Sequence, residues 1–163
     1  MNRPKIKIAL QPFDIILEIL GVIALIVLVT LPLIYFGDLP DKIPSHFNIK
    51  GQPDSYSQKS SIWVLPALGI FLYLAMHLIN RYPHVFNYPQ KITKDNALRH
   101  YSLATRMIRI LSILITCAFA YLVYASIQTA IGRSSGLGVG FSPMFVISIL
   151  GVIGYSLFKS MQK

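Results

Sequence analysis

The hydrophobic positions of this chain gather into four long runs, and every Asp, Glu, Lys and Arg lies outside them. The runs are Ile19–Gly37, Ser60–Asn80, Ile110–Gly132 and Ser134–Phe158. A helix rises about 1.5 Å per residue and the hydrocarbon core of a bilayer is about 30 Å thick, so about 20 apolar residues span it. Each run is long enough. The pattern predicts an all-α membrane protein, one domain over residues 1–163 with four transmembrane helices and a structured extracytoplasmic loop between the first two. The first run is too long for a signal-peptide core and no small-x-small cleavage site follows it, so it reads as a retained helix.

Local punctuation refines the helices. Pro32 and Pro66 are expected to bend the first and second. Pro143 behind Ser142 reads as a helix start, with Ser142 as N-cap and proline at N1. Ser112, Thr116 and Ala120 recur every fourth residue and place small side chains on one face of the third helix, and Gly151 and Gly154 do the same on the fourth. Small residues let helices approach closely where lipid supplies no hydrophobic drive. Asp14 and Glu18, one turn apart, enter the membrane from the same side as Arg106 and Arg109. Carboxylates at that depth need partners, so Glu18 is expected to pair with Arg106 or Arg109.

Composition agrees with a membrane protein. Of 163 residues 54% are hydrophobic and 13% charged, with a net charge of +9. The basic residues flank the apolar runs, where their role is orientation and contact with anionic headgroups, and no nucleic-acid motif accompanies them. Arg3, Lys5, Lys7, Arg81, Lys91, Lys94, Arg99, Arg106, Arg109, Lys159 and Lys163 fall on one side of the predicted topology. Lys42, Lys50, Lys59 and Arg133 fall on the other. The positive-inside rule puts both termini and the 80–107 loop in the cytoplasm and the 38–61 loop outside. The single cysteine, Cys117, lies mid-span, so it has no disulfide partner and no setting that would activate a thiolate.

Two loops carry candidate chemistry. In the outer one, Pro40 and Pro44 stiffen the start, His46-Phe47-Asn48-Ile49 alternates like a short strand, and Lys50-Gly51 turns the chain. His46 and Asn48 would share a strand face, with Asp54 returned towards them and Lys59 beyond. His, Asn and Asp together could bind a metal, move protons or form a hydrogen-bond network. No HExxH, GxSxG or paired-cysteine motif selects an enzyme. In the inner loop, Pro83 and Pro89 hold the chain extended and Thr93 reads as an N-cap. Ala97, Tyr101, Ala104 and Ile108 then follow helical spacing into the third span, with Arg99 and Arg106 on the opposite side.

The outer Ile43-Pro44-Ser45-His46-Phe47-Asn48 with Gly51 and Asp54, and the inner Phe86-Asn87-Tyr88-Pro89 with Thr93, Asn96, Tyr101 and Arg106, resemble a bacterial membrane domain family of unknown function. The resemblance covers residues 15–110. That domain also forms the N-terminal part of Sdp-type immunity proteins, which protect a producing cell from its own toxic peptide; the later region of those proteins is not matched here. The resemblance implies a multi-pass protein of the bacterial cytoplasmic membrane, immunity-like or receptor-like; with no catalytic motif in the sequence the expected role is non-enzymatic recognition, and the sequence points to no cofactor. Candidate binding residues are His46, Asn48, Gly51, Asp54 and Lys59 outside, and Asn87, Tyr88, Thr93, Asn96, Arg99, Tyr101 and Arg106 inside. Candidate partners are the lipid bilayer, an antimicrobial peptide or envelope protein outside, and a cytoplasmic regulator. The alternatives are an accessory or scaffold subunit and, further off, a membrane enzyme using His46 and Asp54.

Overall fold

The computed structural model describes residues 3–162. Four helices dominate it: α1 (Pro12–Tyr35), α2 (Val64–Ile79), α3 (Ala97–Ala130) and α4 (Phe141–Met161). Each is long and apolar enough to cross a membrane, counting the 3₁₀ turn Lys59–Trp63 with α2. Between α1 and α2 stands an antiparallel hairpin of β1 (Lys42–Phe47) and β2 (Pro53–Gln58). The architecture is therefore mostly helical with a two-stranded sheet, not all-α.

α1 starts seven residues before its apolar run because Pro12 opens the first turn and Asp14 accepts from the Gln11 amide, 2.9 Å. Its buried positions Asp14, Leu17, Gly21, Ala24 and Leu28 alternate three and four apart and form one seam. The remaining faces show Ile15, Ile19, Ile23 and Ile26 to the surroundings. Apolar faces of this kind on α1, α2 and α4 suit hydrocarbon rather than water. At 34 residues α3 is about 50 Å long, and it packs against α1, α2, α4 and β1. The expected inner-loop helix does run unbroken into the third span.

The small-residue expectation holds on α3, where Ser112, Thr116 and Ala120 are all buried. It fails on α4: Gly151 and Gly154 are exposed, and a Cβ on either would meet nothing. The close helix approaches lie elsewhere, at Gly21 against Tyr73 and Gly69 against Leu28. Pro66 falls in the first turn of α2, where its missing amide breaks no helical bond, whereas Pro32 is inside α1. Helix α4 takes Gly140, not Ser142, as its N-cap, so Pro143 is its third residue.

Chain direction and contacts define two ends. At the hairpin end Leu28, Leu39, Ile43, Ile62, Val123 and Ile127 form the main core. At the terminal end Ile92, Ala97 and Tyr101 form a smaller one, with Ile8 and Tyr88 packed on it. Both termini and the 80–96 loop share that end, since Arg3 donates to the Phe86 carbonyl and Gln90 to the Ser160 carbonyl.

Candidate functional site

At the hairpin end the strands pair from Lys42–Gln58 to Phe47–Pro53, with irregularities on both sides of His46. Those irregularities bring His46 Nδ1 within 2.5 Å of Asp54 Oδ1. The side chains are 68% and 42% exposed, so this is a surface pair open to any ligand. Asn48 does not share a strand face with His46. Its Oδ1 accepts from the amides of Lys50 (2.9 Å) and Gln52 (3.0 Å), which ends the strand and closes the turn. The strand therefore occupies residues 42–47 instead of 46–49.

Gly51 sits in this turn at φ +76°, as its place in the sequence requires. Its carbonyl accepts from the Leu137 amide at 2.8 Å, and the Leu137 carbonyl accepts from Tyr121 Oη at 2.9 Å. The tip of the hairpin is thereby latched to the loop between α3 and α4. Lys59 stands apart from the His–Asp pair, its Nζ 5.3 Å from the centre of the Phe36 ring.

Beneath the hairpin lies a cavity of about 510 Å³. β1 roofs it with Ile43, Pro44, His46 and Phe47; Ile62 and Leu65 close one side, and Leu122, Ser126 and Phe141 another. Its lining is apolar with scattered serine hydroxyls, a surface suited to apolar side chains carried on a polar backbone. Sequence reasoning found the roof but missed Ser126 and Phe141, which arrive from far along the chain and carry no local motif.

The terminal end is an ion-pair lattice. Arg106 Nε donates to Asp14 Oδ1 at 2.7 Å, and its Nη2 donates to Gln11 Oε1 at 2.6 Å. Arg109 Nε donates to Glu18 Oε1 at 2.7 Å, which is one of the two pairings expected for Glu18. His77, unremarked in the sequence, adds a contact of 3.3 Å to the other Glu18 oxygen. A lone histidine in an apolar run gives no signal, except that it ends a helix leading back to the side where Glu18 enters.

Most inner candidates serve structure. Arg99 does not stand with Arg106 on one open face: its Nη2 donates to the Lys159 carbonyl, 3.1 Å, at the end of α4. Tyr101 is wholly buried and donates to the Pro4 carbonyl at 3.1 Å. Tyr88 donates to the Pro83 carbonyl at 2.9 Å, and burial, reinforced by Tyr101, pushes its phenol above the ordinary range. Thr93 and Asn96 cap each other: the Thr93 amide donates to Asn96 Oδ1 (2.8 Å) and the Asn96 amide to Thr93 Oγ1 (3.4 Å). The regular helix follows, with Asn96 rather than Thr93 as N-cap of α3. Asn87 is exposed and lines a separate cavity beside Tyr88. Among the described residues, no three His, Cys, Asp or Glu side chains converge to hold a metal.

The family described as a domain of unknown function (DUF1648) matches residues 22–70, from α1 through the hairpin into α2. An uncharacterized protein of Archaeoglobus fulgidus is 27% identical over 153 residues, covering 85% of this chain and 80% of that protein. No solved structure matches.

Proposed function

We propose that this chain is a multi-pass membrane protein that recognises a peptide or envelope ligand on its outer face, without catalysis, in an immunity-like or receptor role. The observation that carries the reading is the roofed cavity of about 510 Å³ at the hairpin end, with His46 on its roof strand β1 held by Asp54 of β2. The hairpin presents the polar groups and the helices below supply the apolar floor. The match over residues 22–70 supports it, because the shared segment contains the hairpin itself. The sparse basic residues at this end support placing it outside, with both termini in the cytoplasm. Similarity of the two loop motifs to the N-terminal region of Sdp-type immunity proteins supports protection against a membrane-active peptide, with a regulator meeting the cytoplasmic side. A histidine and a carboxylate that stand open to water fit recognition better than proton transfer, which gains from a site that excludes water.

The test is survival of a deletion strain challenged with membrane-active peptides, complemented by wild type, His46→Ala or Asp54→Ala at matched abundance. Protection by wild type and its loss in both variants is the expected outcome. Equal survival of the deletion and wild-type strains would remove the immunity reading. A second reading, an accessory subunit of a membrane complex, is favoured by the exposed Gly151 and Gly154 on α4. It predicts a co-purifying partner lost on Gly151→Leu.

A further inference from the structure

At the terminal end a cavity of about 510 Å³ lies between the N-terminal segment and the helix ends. Ile6, Lys7 and Leu10 form one wall, Arg81 and Pro83 another, and Glu18 of α1 meets Arg109 of α3 between them. The N-terminal wall is held at three points. The Pro4 carbonyl accepts from Tyr101 at 3.1 Å, Ile8 packs on the small core of Ile92, Ala97 and Tyr101, and Gln11 Oε1 accepts from Arg106 at 2.6 Å.

The charges around this cavity do not cancel. Lys7, Arg81 and Arg109 stand against a single carboxylate, Glu18, which Arg109 and His77 already engage at 2.7 and 3.3 Å. Five arginines belong to this end of the molecule: Arg3, Arg81, Arg99, Arg106 and Arg109. Four of them donate to fixed acceptors, the Phe86 carbonyl, the Lys159 carbonyl, Asp14 and Glu18 respectively for Arg3, Arg99, Arg106 and Arg109. Arg81 is the exception. It and Lys7 are exposed, and among the described residues neither side chain has an ion-pair or hydrogen-bond partner, so both are free to turn to a ligand in the cavity.

We propose that this cavity holds the headgroup of an anionic phospholipid, its phosphate between Lys7, Arg81 and Arg109 and its first acyl carbons against Ile6 and Leu10. Arginine grips phosphate with a planar fork of donors and lysine with a point charge. The source follows from position: the cavity sits where α2 ends and α1 begins, the depth at which headgroups meet membrane-spanning helices. A free phosphate ion would match the charge but leave the wall uncovered, on which Ile6 and Leu10 are 36% and 52% exposed. A zwitterionic lipid brings its own cation and leaves the positive surplus standing. This site is at the opposite end from the hairpin and does not rest on the function proposed there.

The test uses the full chain in phosphatidylcholine nanodiscs with a trace of phosphatidylglycerol bearing a diazirine near the top of one acyl chain, and mass spectrometry locates the photo-adducts. Saturable labelling is expected within 6–10, 77–83 and 105–109. Unlabelled phosphatidylglycerol should displace the probe at least about ten-fold better than phosphatidylethanolamine. Lys7→Gln/Arg81→Gln should weaken labelling about ten- to thirty-fold. Lys91→Gln/Lys94→Gln removes the same charge from the same end but outside the cavity, and should weaken it by less than about three-fold. Equal displacement by the two lipids, equal loss in the two double variants, or displacement by inorganic phosphate as effective as by phosphatidylglycerol would overturn the proposal. The lipid comparison needs only wild-type protein, so it decides even if a variant fails to fold.

Discussion

The latch between the hairpin tip and the α3–α4 loop can be broken by one methyl group. Gly51 lies at φ +76°, and a Cβ built there would approach the Gly138 carbonyl oxygen to 2.7 Å and its nitrogen and carbonyl carbon to 3.0 Å. The left-handed backbone costs a residue with a side chain about 1 kcal/mol. The clash adds about 1–2 kcal/mol, because both sides are backbone and neither can rotate away. Together, about 2–3 kcal/mol falls on the hydrogen bond from Leu137 N–H to Gly51 O. At 1.4 kcal/mol per factor of ten, the Leu137 amide in Gly51→Ala should exchange with deuterium about 30- to 100-fold faster than in wild type. Gly132 is the control. It has nearly the same φ, +74°, with nothing within 4 Å of an added Cβ. Gly132→Ala should carry the conformational cost alone and change Leu137 exchange by less than about five-fold. Unchanged Leu137 protection in Gly51→Ala, or an equal rise in both variants, would refute the reasoning.

Three further outcomes are expected. Arg106→Leu alone should destabilise the protein by about 3 kcal/mol, because Asp14 is left 95% buried without its partner; Asp14→Leu/Arg106→Leu should recover most of that in reversible unfolding, and a double variant as unstable as the single would count against the pair. His46→Ala should shift stability by less than about 1 kcal/mol, since the pair is exposed, so any functional loss is read at the site and not through unfolding. Tyr88→Phe should cost about 1 kcal/mol by losing the bond to Pro83. The raised pKa of Tyr88 contributes stability that is fully present below the ordinary phenol value of about 10 and is lost as the pH climbs towards the folded value. Alkaline unfolding of Tyr88→Phe should therefore show a shallower loss than wild type.

How far the sequence could be read depends on the kind of constraint each residue faces. The four helices were legible because a charge-free run of that length has few other fates. The pairing of α1 with α3 was legible in kind, since Asp14 and Glu18 beside apolar positions demand cations. Its register, Asp14 with Arg106 and Glu18 with Arg109, is set by helix packing along Leu17, Gly21 and Ala24, which no charge pattern encodes. Asn48 was misplaced because period-two alternation over four residues looks the same whether the polar residue faces outward or bends back to cap a turn. Gly151 and Gly154 show the converse: small residues permit a close approach without naming a neighbour. The cavity walls Ser126 and Phe141 were invisible for a simpler reason. They become neighbours of the hairpin only after α3 and α4 fold beside it.

That division between roof and wall bears on selectivity. The segment matching the domain of unknown function ends at residue 70 and includes the whole hairpin, His46 and Asp54 among it. The facing wall comes from Leu122, Ser126, Leu137 and Phe141, all beyond it. In the recognition reading, the capacity to bind thus lies in the roof and the choice of ligand in the wall. The two meet where Ile43 packs with Val123 and Ile127, and at the tip through the backbone bond from the Leu137 amide to the Gly51 carbonyl. Glycine suits that position because its φ is +76° and a Cβ there would press on the Gly138 backbone at 2.7 Å, pushing the hairpin tip away from the wall.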